Sequence, residues 1–395
     1  MSIKDLPVPL NYMGPPPASR LVCHGISPNA RWIGGTCLKN GTSPTVDTSQ
    51  EFAYRLFVPF VLYQAQTLGN DFSASCRGIT DEGDRVGFHL RKPTDTTATA
   101  ILRELNGPVV ELPFNGDDSS ANGATNKLIP GSLFIVGTHT RPKKAARGFG
   151  ITFDKTNKKF GPELNVCASM PTLPKIEEDV SVQCINSNGD IVANAVARNG
   201  GVVNSHTVNA MDQRLVVGFR KAANIYTWVP LLLPTDPNNI TVLGINIHGD
   251  ISGFVDDGGK TRGFTVNVQS NGSIFGFSMF DHPLATISTR FSGISDDGWI
   301  AGTYDEIHPF VVIPEFTRRP IFYWPPHWRN EPDGPPHSRL SSRKDWARYN
   351  SQLALQIHEL VEQINDEPDR RAIEKPLLDF LNRQIKLLSS TKKNR

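Results

Sequence analysis

Much that would make a function easy to read is missing from this chain. No segment reaches the ~18 consecutive apolar residues of a membrane-spanning helix. The N-terminal stretch, residues 1–10 with Pro7 and Pro9, lacks the long apolar core of a secretory signal. The sequence as given is therefore expected in the cytoplasm, or outside the cell if a leader is removed or export needs none. Cysteine is scarce. The five thiols, Cys23, Cys37, Cys76, Cys167 and Cys184, are odd in number, show no CxxC spacing and have no accompanying His pair. That excludes a zinc site and a disulfide framework, and leaves small core residues, with a local bridge between Cys23 and Cys37 as the one pairing left open. A charge of one sign is missing too. The chain carries 41 Lys and Arg against 39 Asp and Glu, a net of +2, which supports neither a nucleic acid nor a membrane surface as partner.

Catalytic signatures are equally absent. There is no GxGxxG entering a helix, no Walker-type lysine loop and no GxSxG elbow. His358-Glu359 begins like a zinc-protease helix, but position 362 is Glu where the second ligand would stand. No amphipathic helical period occurs before residue 340.

What the chain does contain is self-similarity. Segments 25–34, 78–87, 184–193, 244–253 and 293–302 share one pattern: Gly or Cys, Ile, a polar stretch, then an apolar strand closing on Gly or Ala. A weaker copy spans 131–137. The closing positions 34, 87, 137, 193, 253 and 302 lie 53, 50, 56, 60 and 49 residues apart, close to the ~40–50 residues of a four-stranded propeller blade. Asn188-Gly189 and His248-Gly249 suit tight turns, so each copy reads as a β-hairpin. A second element follows several copies: Arg147-Gly148-Phe149, Arg262-Gly263-Phe264 and His308-Pro309-Phe310. An apolar strand comes after it, as at 227–231 or 321–324, and Val216-Val217-Gly218-Phe219 reads as a later strand of the fourth blade. Three or four short strands per period make a blade, not a βαβ unit. The expected fold is all-β, a six-bladed β-propeller over 1–336, with seven blades as the alternative. Residues 6–12 are expected to close the ring as an outer strand of the last blade, confined to an edge by Pro7 and Pro9.

These copies resemble the HAF-repeat proteins, a family of probable extracellular repeats. The resemblance runs over residues 21–316 and rests on the Gly-Ile copies and the His/Arg-Gly/Pro-Phe elements. It implies a β-propeller and names no catalytic residues.

After Pro335-Pro336 the pattern changes. Trp346, Tyr349, Leu353, Ile357, Leu360 and Ile364 recur every three or four residues, the face of an amphipathic helix. Ile373, Leu377, Leu381, Ile385 and Leu388 form a second stripe. Residues 337–395 are thus expected to form a helical hairpin. They carry 12 basic and 8 acidic residues, and either dock on the propeller or pair two copies as a homodimer.

The acidic turns at Asp81-Glu82-Gly83-Asp84, Asp256-Asp257-Gly258 and Asp296-Asp297-Gly298 could hold a structural cation through oxygen ligands. None follows a calcium loop, and Asp is an ordinary turn residue, so no cofactor is expected. Candidate binding residues are His24 and His248 at repeat positions facing one end of the ring, then Asp297, Trp299, Tyr304, Asp305 and His308 in the last blade. Trp328 joins them from the aromatic run 322–328. With no catalytic set among them, the reading is a non-catalytic binding scaffold that takes a protein or glycan partner through loops or aromatic patch. The alternative is a hydrolase or lyase with its site at the central channel mouth.

Overall fold

The repeat spacing asks for sheets of four short strands, each too small to bury two faces alone. The computed structural model describes residues 2–6, 20–38, 49–56, 61–64 and 73–314, less 93, 106, 115–116, 142, 172–175, 204–205, 223–224 and 307. These form six four-stranded antiparallel sheets. Blade 1 holds β2 (Arg20–Ile26), β3 (Trp32–Leu38), β4 (Ser49–Arg55) and β5 (Val61–Gln64). Blade 2 holds β6 (Ser73–Ile79), β7 (Arg85–Leu90), β8 (Thr99–Arg103) and β9 (Val109–Glu111). Blade 3 holds β10 (Asp118–Thr125), β11 (Ser132–Thr140), β12 (Arg147–Asp154) and β13 (Lys159–Phe160).

Blade 4 consists of β14 (Glu178–Ile185), β15 (Ile191–Ala197), β18 (Gln213–Ala222) and β19 (Ile225–Pro230). A small hairpin, β16 (Gly201–Val203) with β17 (His206–Val208), is inserted between its second and third strands and accounts for the 60-residue step. Blade 5 holds β20 (Ile240–Ile245), β21 (Asp250–Asp257), β22 (Lys260–Val268) and β23 (Ile274–Phe280). Blade 6 holds β24 (Thr289–Ile294), β25 (Ile300–Tyr304) and β26 (His308–Ile313). Each first strand touches the first strands of the blades before and after it, and β24 meets β2 to close a six-bladed ring.

The fourth strand of blade 6 comes from the other end of the chain. It is β1 (Ser2–Asp5), paired with β26 from Ser2 opposite Ile313 to Asp5 opposite Phe310. This corrects the expected segment 6–12. Residues 7–12 of that segment lie outside the described residues. Leu6 donates its N–H to the Pro309 carbonyl at 2.9 Å. Its side chain is buried with Leu21, Phe52, Ala301 and Val311 in a core shared by the first and last blades.

The repeat motif now has a physical cause at each position. Every first strand carries a β-bulge at the same place, between Cys23 and Gly25, Cys76 and Gly78, Ala121 and Gly123, Val182 and Cys184, Val242 and Gly244, and Phe291 and Gly293. The glycine after the bulge lies against the backbone of the next blade. A Cβ on Gly78 would stand 2.9 Å from the Gly123 Cα, one on Gly244 2.8 Å from the Gly293 Cα, and one on Gly293 3.2 Å from the Gly25 Cα. Blade 4 carries Cys184 here, its side chain buried in the core shared with blade 5.

The polar residue after Ile caps the turn from within. Ser27, Thr80, Thr125, Asn186, Asn246 and Ser295 are all buried. The Asn186 Oδ1 accepts the N–H of Asn188 and of Asp190 at 2.9 Å each, and the Ser295 Oγ accepts the Trp299 N–H at 2.9 Å, so buried turn donors are satisfied. The turn of blade 1 is one residue longer, closing from Ser27 to Trp32 where blade 2 closes from Thr80 to Asp84. Gly35, not Gly34, is therefore the counterpart of Gly87.

The closing glycine of the motif lies under the Phe of the second element. Gly137 faces Phe149, Gly253 faces Phe264 and Gly302 faces Phe310 across the ladder, and a Cβ on Gly302 would meet that ring at 2.6 Å. In blade 4 the position is Ala193 and its partner is the smaller Val216. Val216 lies on β18, the third strand of that blade, as the spacing suggested.

Cys23 is a free, buried thiol, which overturns the Cys23–Cys37 pairing. Cys23 stands opposite Gly35 and Cys37 opposite Leu21, so the two are offset along the ladder. The propeller occupies a compact unit spanning Met1–Glu315. The expected helical hairpin, the boundary at 336, the strand at 321–324 and Trp328 lie outside the described residues. Among the described residues no helix is long and apolar enough to cross a membrane.

Two outcomes follow. Deleting residues 1–6 removes the closing strand and the buried Leu6, worth about 3 kcal/mol or more, and is expected to lower Tm by roughly 5–10 °C in a calorimetric scan. Gly244→Ala forces apart two first strands and is expected to cost about 1–3 kcal/mol by urea denaturation.

Candidate functional site

The bulge leaves one residue of each first strand out of the ladder. Those residues are His24, Arg77, Asn122, Gln183, Leu243 and Ser292. Of these, His24, Arg77, Asn122 and Leu243 line a cavity on the ring axis together with the glycines and residues such as Pro28 and Asp296. Its volume is about 50 Å³, room for a few waters at ~10–15 Å³ each.

Burial first, and then the Arg77 charge, push His24 down to about 3, so its imidazole is neutral at pH 7. Burial also pulls the Arg77 guanidinium below its ordinary range. The guanidinium stacks 5.3 Å over the Phe88 ring.

At the end of the ring where first strands turn into second strands, loops of successive blades are stitched together. Asp81 accepts the Asn29 N–H at 2.8 Å and pairs with Lys127 at 3.1 Å. Asp296 accepts the Ile247 N–H at 3.2 Å and the Ser187 hydroxyl at 3.3 Å, and donates its own N–H to the Pro28 carbonyl at 2.8 Å. The Asn246 side chain donates to the Ser295 carbonyl at 3.2 Å. Burial raises Asp296 above the ordinary carboxyl range, the neighbouring Asp81 adds to this, and its hydrogen bonds and His248 oppose it. These acidic turns therefore serve as ties between blades. Among the described residues no group of three or more His, Cys, Asp or Glu side chains is placed to hold a metal ion.

The expected site residues do not form one site. His24 lies on the channel wall. His248 is exposed on the first turn of blade 5, four residues past its glycine, and bears on Asp296. The two histidines occupy different repeat positions, His24 at the bulge and His248 in the turn that follows. Asp297 is half-buried on the turn of blade 6. Trp299 is half-buried against the core shared by blades 6 and 1, which is a packing role. Tyr304, Asp305 and His308 do come together, but at the far end of β25, about 13 Å of strand away.

That second cluster is a clasp on the seam. The Tyr304 ring lies between His282, at 4.0 Å and nearly parallel, and His308, at 4.7 Å. Asp5 on the closing strand stands 3.4 Å from the His282 Nε2. Asp305 accepts the N–H groups of Thr286, Ile287 and Ser288 and the Thr286 hydroxyl, all within 3.0 Å. Burial acts to raise its carboxyl, but those bonds outweigh it and hold it well below the usual range. Arg77, Asn122 and His282 escaped sequence reasoning, while Asp81 and Asp296, read there as turn residues with a possible cation role, serve as ties between blades. For the first two a signal existed: the residue just before each Gly-Ile pair is the one the bulge frees.

No family model matches the chain, and no curated protein does. Among solved structures, the β-propeller domain of the Trilobed protease from Pyrococcus furiosus is similar at TM-score 0.41 and 10% identity, over 78% of this chain and 98% of that one. TolB from Acinetobacter baumannii is similar at TM-score 0.36 and 9% identity, over 65% and 53%. The acylaminoacyl peptidase of Pyrococcus horikoshii is similar at TM-score 0.37 and 8% identity, over 74% and 52%. This chain spans about half the length of the latter two. At these scores and identities none of the three bears on activity.

His24 sets a pH dependence. Its pKa is about 3 in the folded protein and near 6.5 unfolded. Between those values the unfolded chain binds a proton that the folded one does not, so stability falls as pH falls. From pH 7 to pH 5 this one group is expected to remove about 2 kcal/mol, and urea denaturation of His24→Gln should show a loss smaller by that amount.

Proposed function

We propose that the chain is a non-catalytic binding propeller that takes a protein partner on the face where successive blades connect. The observation that carries this is the distribution of exposed large apolar side chains. Met211, Leu232, Leu284 and Ile287 are 73%, 75%, 62% and 64% exposed. All four sit in loops between second and third strands or between blades, hence on one face of blades 4, 5 and 6. Ile129, Ile225 and Phe275, on the opposite face, are less exposed at 40%, 59% and 57%. Met211 also has a φ of 73°, the left-handed region that disfavours a large side chain. A turn tip with no other duty would favour Gly or Asn there. Apolar groups held out on rigidly supported loops are the ordinary material of a recognition surface.

The cavity on the axis, of about 50 Å³, holds no more than a few waters and supports a reading in which the loops do the binding. The HAF-repeat resemblance implies a β-propeller and brings no catalytic set, which is compatible with a binding role. A second reading has one observation behind it: the neighbouring carboxylates Asp81 and Asp296, the latter raised by burial, could perform acid–base chemistry at the channel mouth.

The test compares the full chain with a Met211→Ser, Leu232→Ser, Leu284→Ser, Ile287→Ser variant of unchanged Tm. Each is immobilised and challenged with extract and with a glycan array. A protein held by the wild type and released at least about tenfold more by the variant is the expected result. Equal retention by both, or retention of glycans alone, defeats the assignment of this face to a protein. Turnover of a glycan that is lost in Asp296→Asn would establish the enzyme reading instead.

A further inference from the structure

The channel wall presents two donors with nothing to bond to. Among the described residues, no hydrogen bond or ion pair reaches the Arg77 guanidinium, whose only recorded partner is the Phe88 ring. The His24 ring nitrogens likewise have no partner. Both residues occupy the bulge position of adjacent blades and line the same axial cavity. Asn122, the third bulge residue, is already committed: it donates to the Val182 carbonyl at 2.7 Å and accepts the Ser120 hydroxyl at 2.7 Å. Asp296, the acid among the residues that line the cavity, is occupied in the turns by the Ile247 N–H and the Ser187 hydroxyl.

Arg77 and His24 are both half-buried; a partly desolvated guanidinium gains from a counter-charge, and its planar fork suits an oxyanion or a halide. The neutral imidazole adds one N–H donor beside it. The cavity is small enough to exclude anything larger than a few waters and large enough for one such ion.

We propose that the central channel is a binding site for one small anion, a halide or compact oxyanion, held by Arg77 and His24 between blades 1 and 2. The ion supplies the missing partner to both donors and ties two first strands together at the axis. Because binding favours the folded ring over the unfolded chain, anions stabilise the protein by mass action. The site is independent of the partner face proposed above.

The test uses sodium bromide, sodium phosphate and sodium acetate at constant ionic strength. Wild-type protein is expected to show a saturable rise in Tm with at least one of them. A crystal soaked in bromide should show anomalous density beside the Arg77 guanidinium. Arg77→Gln is expected to abolish the saturable rise, and His24→Ala to weaken the apparent affinity about tenfold, the loss of one charge-assisted hydrogen bond. Should Arg77→Gln fold poorly, Arg77→Lys keeps the charge and should retain a weakened response. A response to phosphate or bromide alone identifies an inorganic ion, and one to acetate alone a carboxylate; both support the site. No saturable rise with any salt, a rise unchanged in Arg77→Gln, or bromide density only at surface lysines overturns it.

Discussion

Six strands cannot meet on one axis if each carries a side chain at the point of meeting. That exclusion organises the molecule. At the crossing the backbone of Gly78 would meet Gly123, Gly244 would meet Gly293 and Gly293 would meet Gly25 before any Cβ could fit. The bulge beside each glycine gives the strand the twist and bend it needs to reach this position, and in four blades the residue it frees lines the axial cavity. The buried Ser, Thr or Asn that follows then closes the turn without leaving donors unpaired.

Within each of several blades the same economy of space recurs one strand out. Phe149, Phe264 and Phe310 lie over Gly137, Gly253 and Gly302. Blade 4 exchanges both members of the pair, Ala193 with Val216, and keeps the volume. Hydroxyls then link neighbouring blades: Thr36 to Ser75 at 2.9 Å, Thr138 to Ser181 at 2.6 Å, and Thr303 to the Cys23 N–H at 3.0 Å. Repeated links of this kind make the disc stiff, so variation is left to the loops. The inserted hairpin of blade 4 and the exposed apolar side chains of blades 4 to 6 are where this ring departs from its own repeat.

The seam is the place where a ring made from a linear chain has to be joined. Here the join is a single short strand, Ser2–Asp5, reinforced by the burial of Leu6 and by the stacked His282, Tyr304 and His308. Asp305, whose residue type and position suggested a ligand, binds three backbone N–H groups of the connecting loop. A carboxylate, a tyrosine and two histidines in one place look like chemistry in a list of residues. In space they are a fastening.

Blade number, the order of strands within a blade and the location of the turns were legible in the chain, because each follows from a local pattern: Gly-Ile, a polar cap, an alternating strand. The closing strand was anticipated, but several residues late: Ser2–Asp5 pair with the last strand and Leu6 is buried beside it. Which residues face the axis was decided only by the tertiary structure. A bulge does not announce itself in hydrophobic alternation, and His24 and Arg77, 53 residues apart in sequence, come to line one cavity from adjacent blades. The sequence determines how each blade is built; the meeting of blades determines which side chains share a cavity, because that depends on strand twist and ring closure rather than on any one repeat.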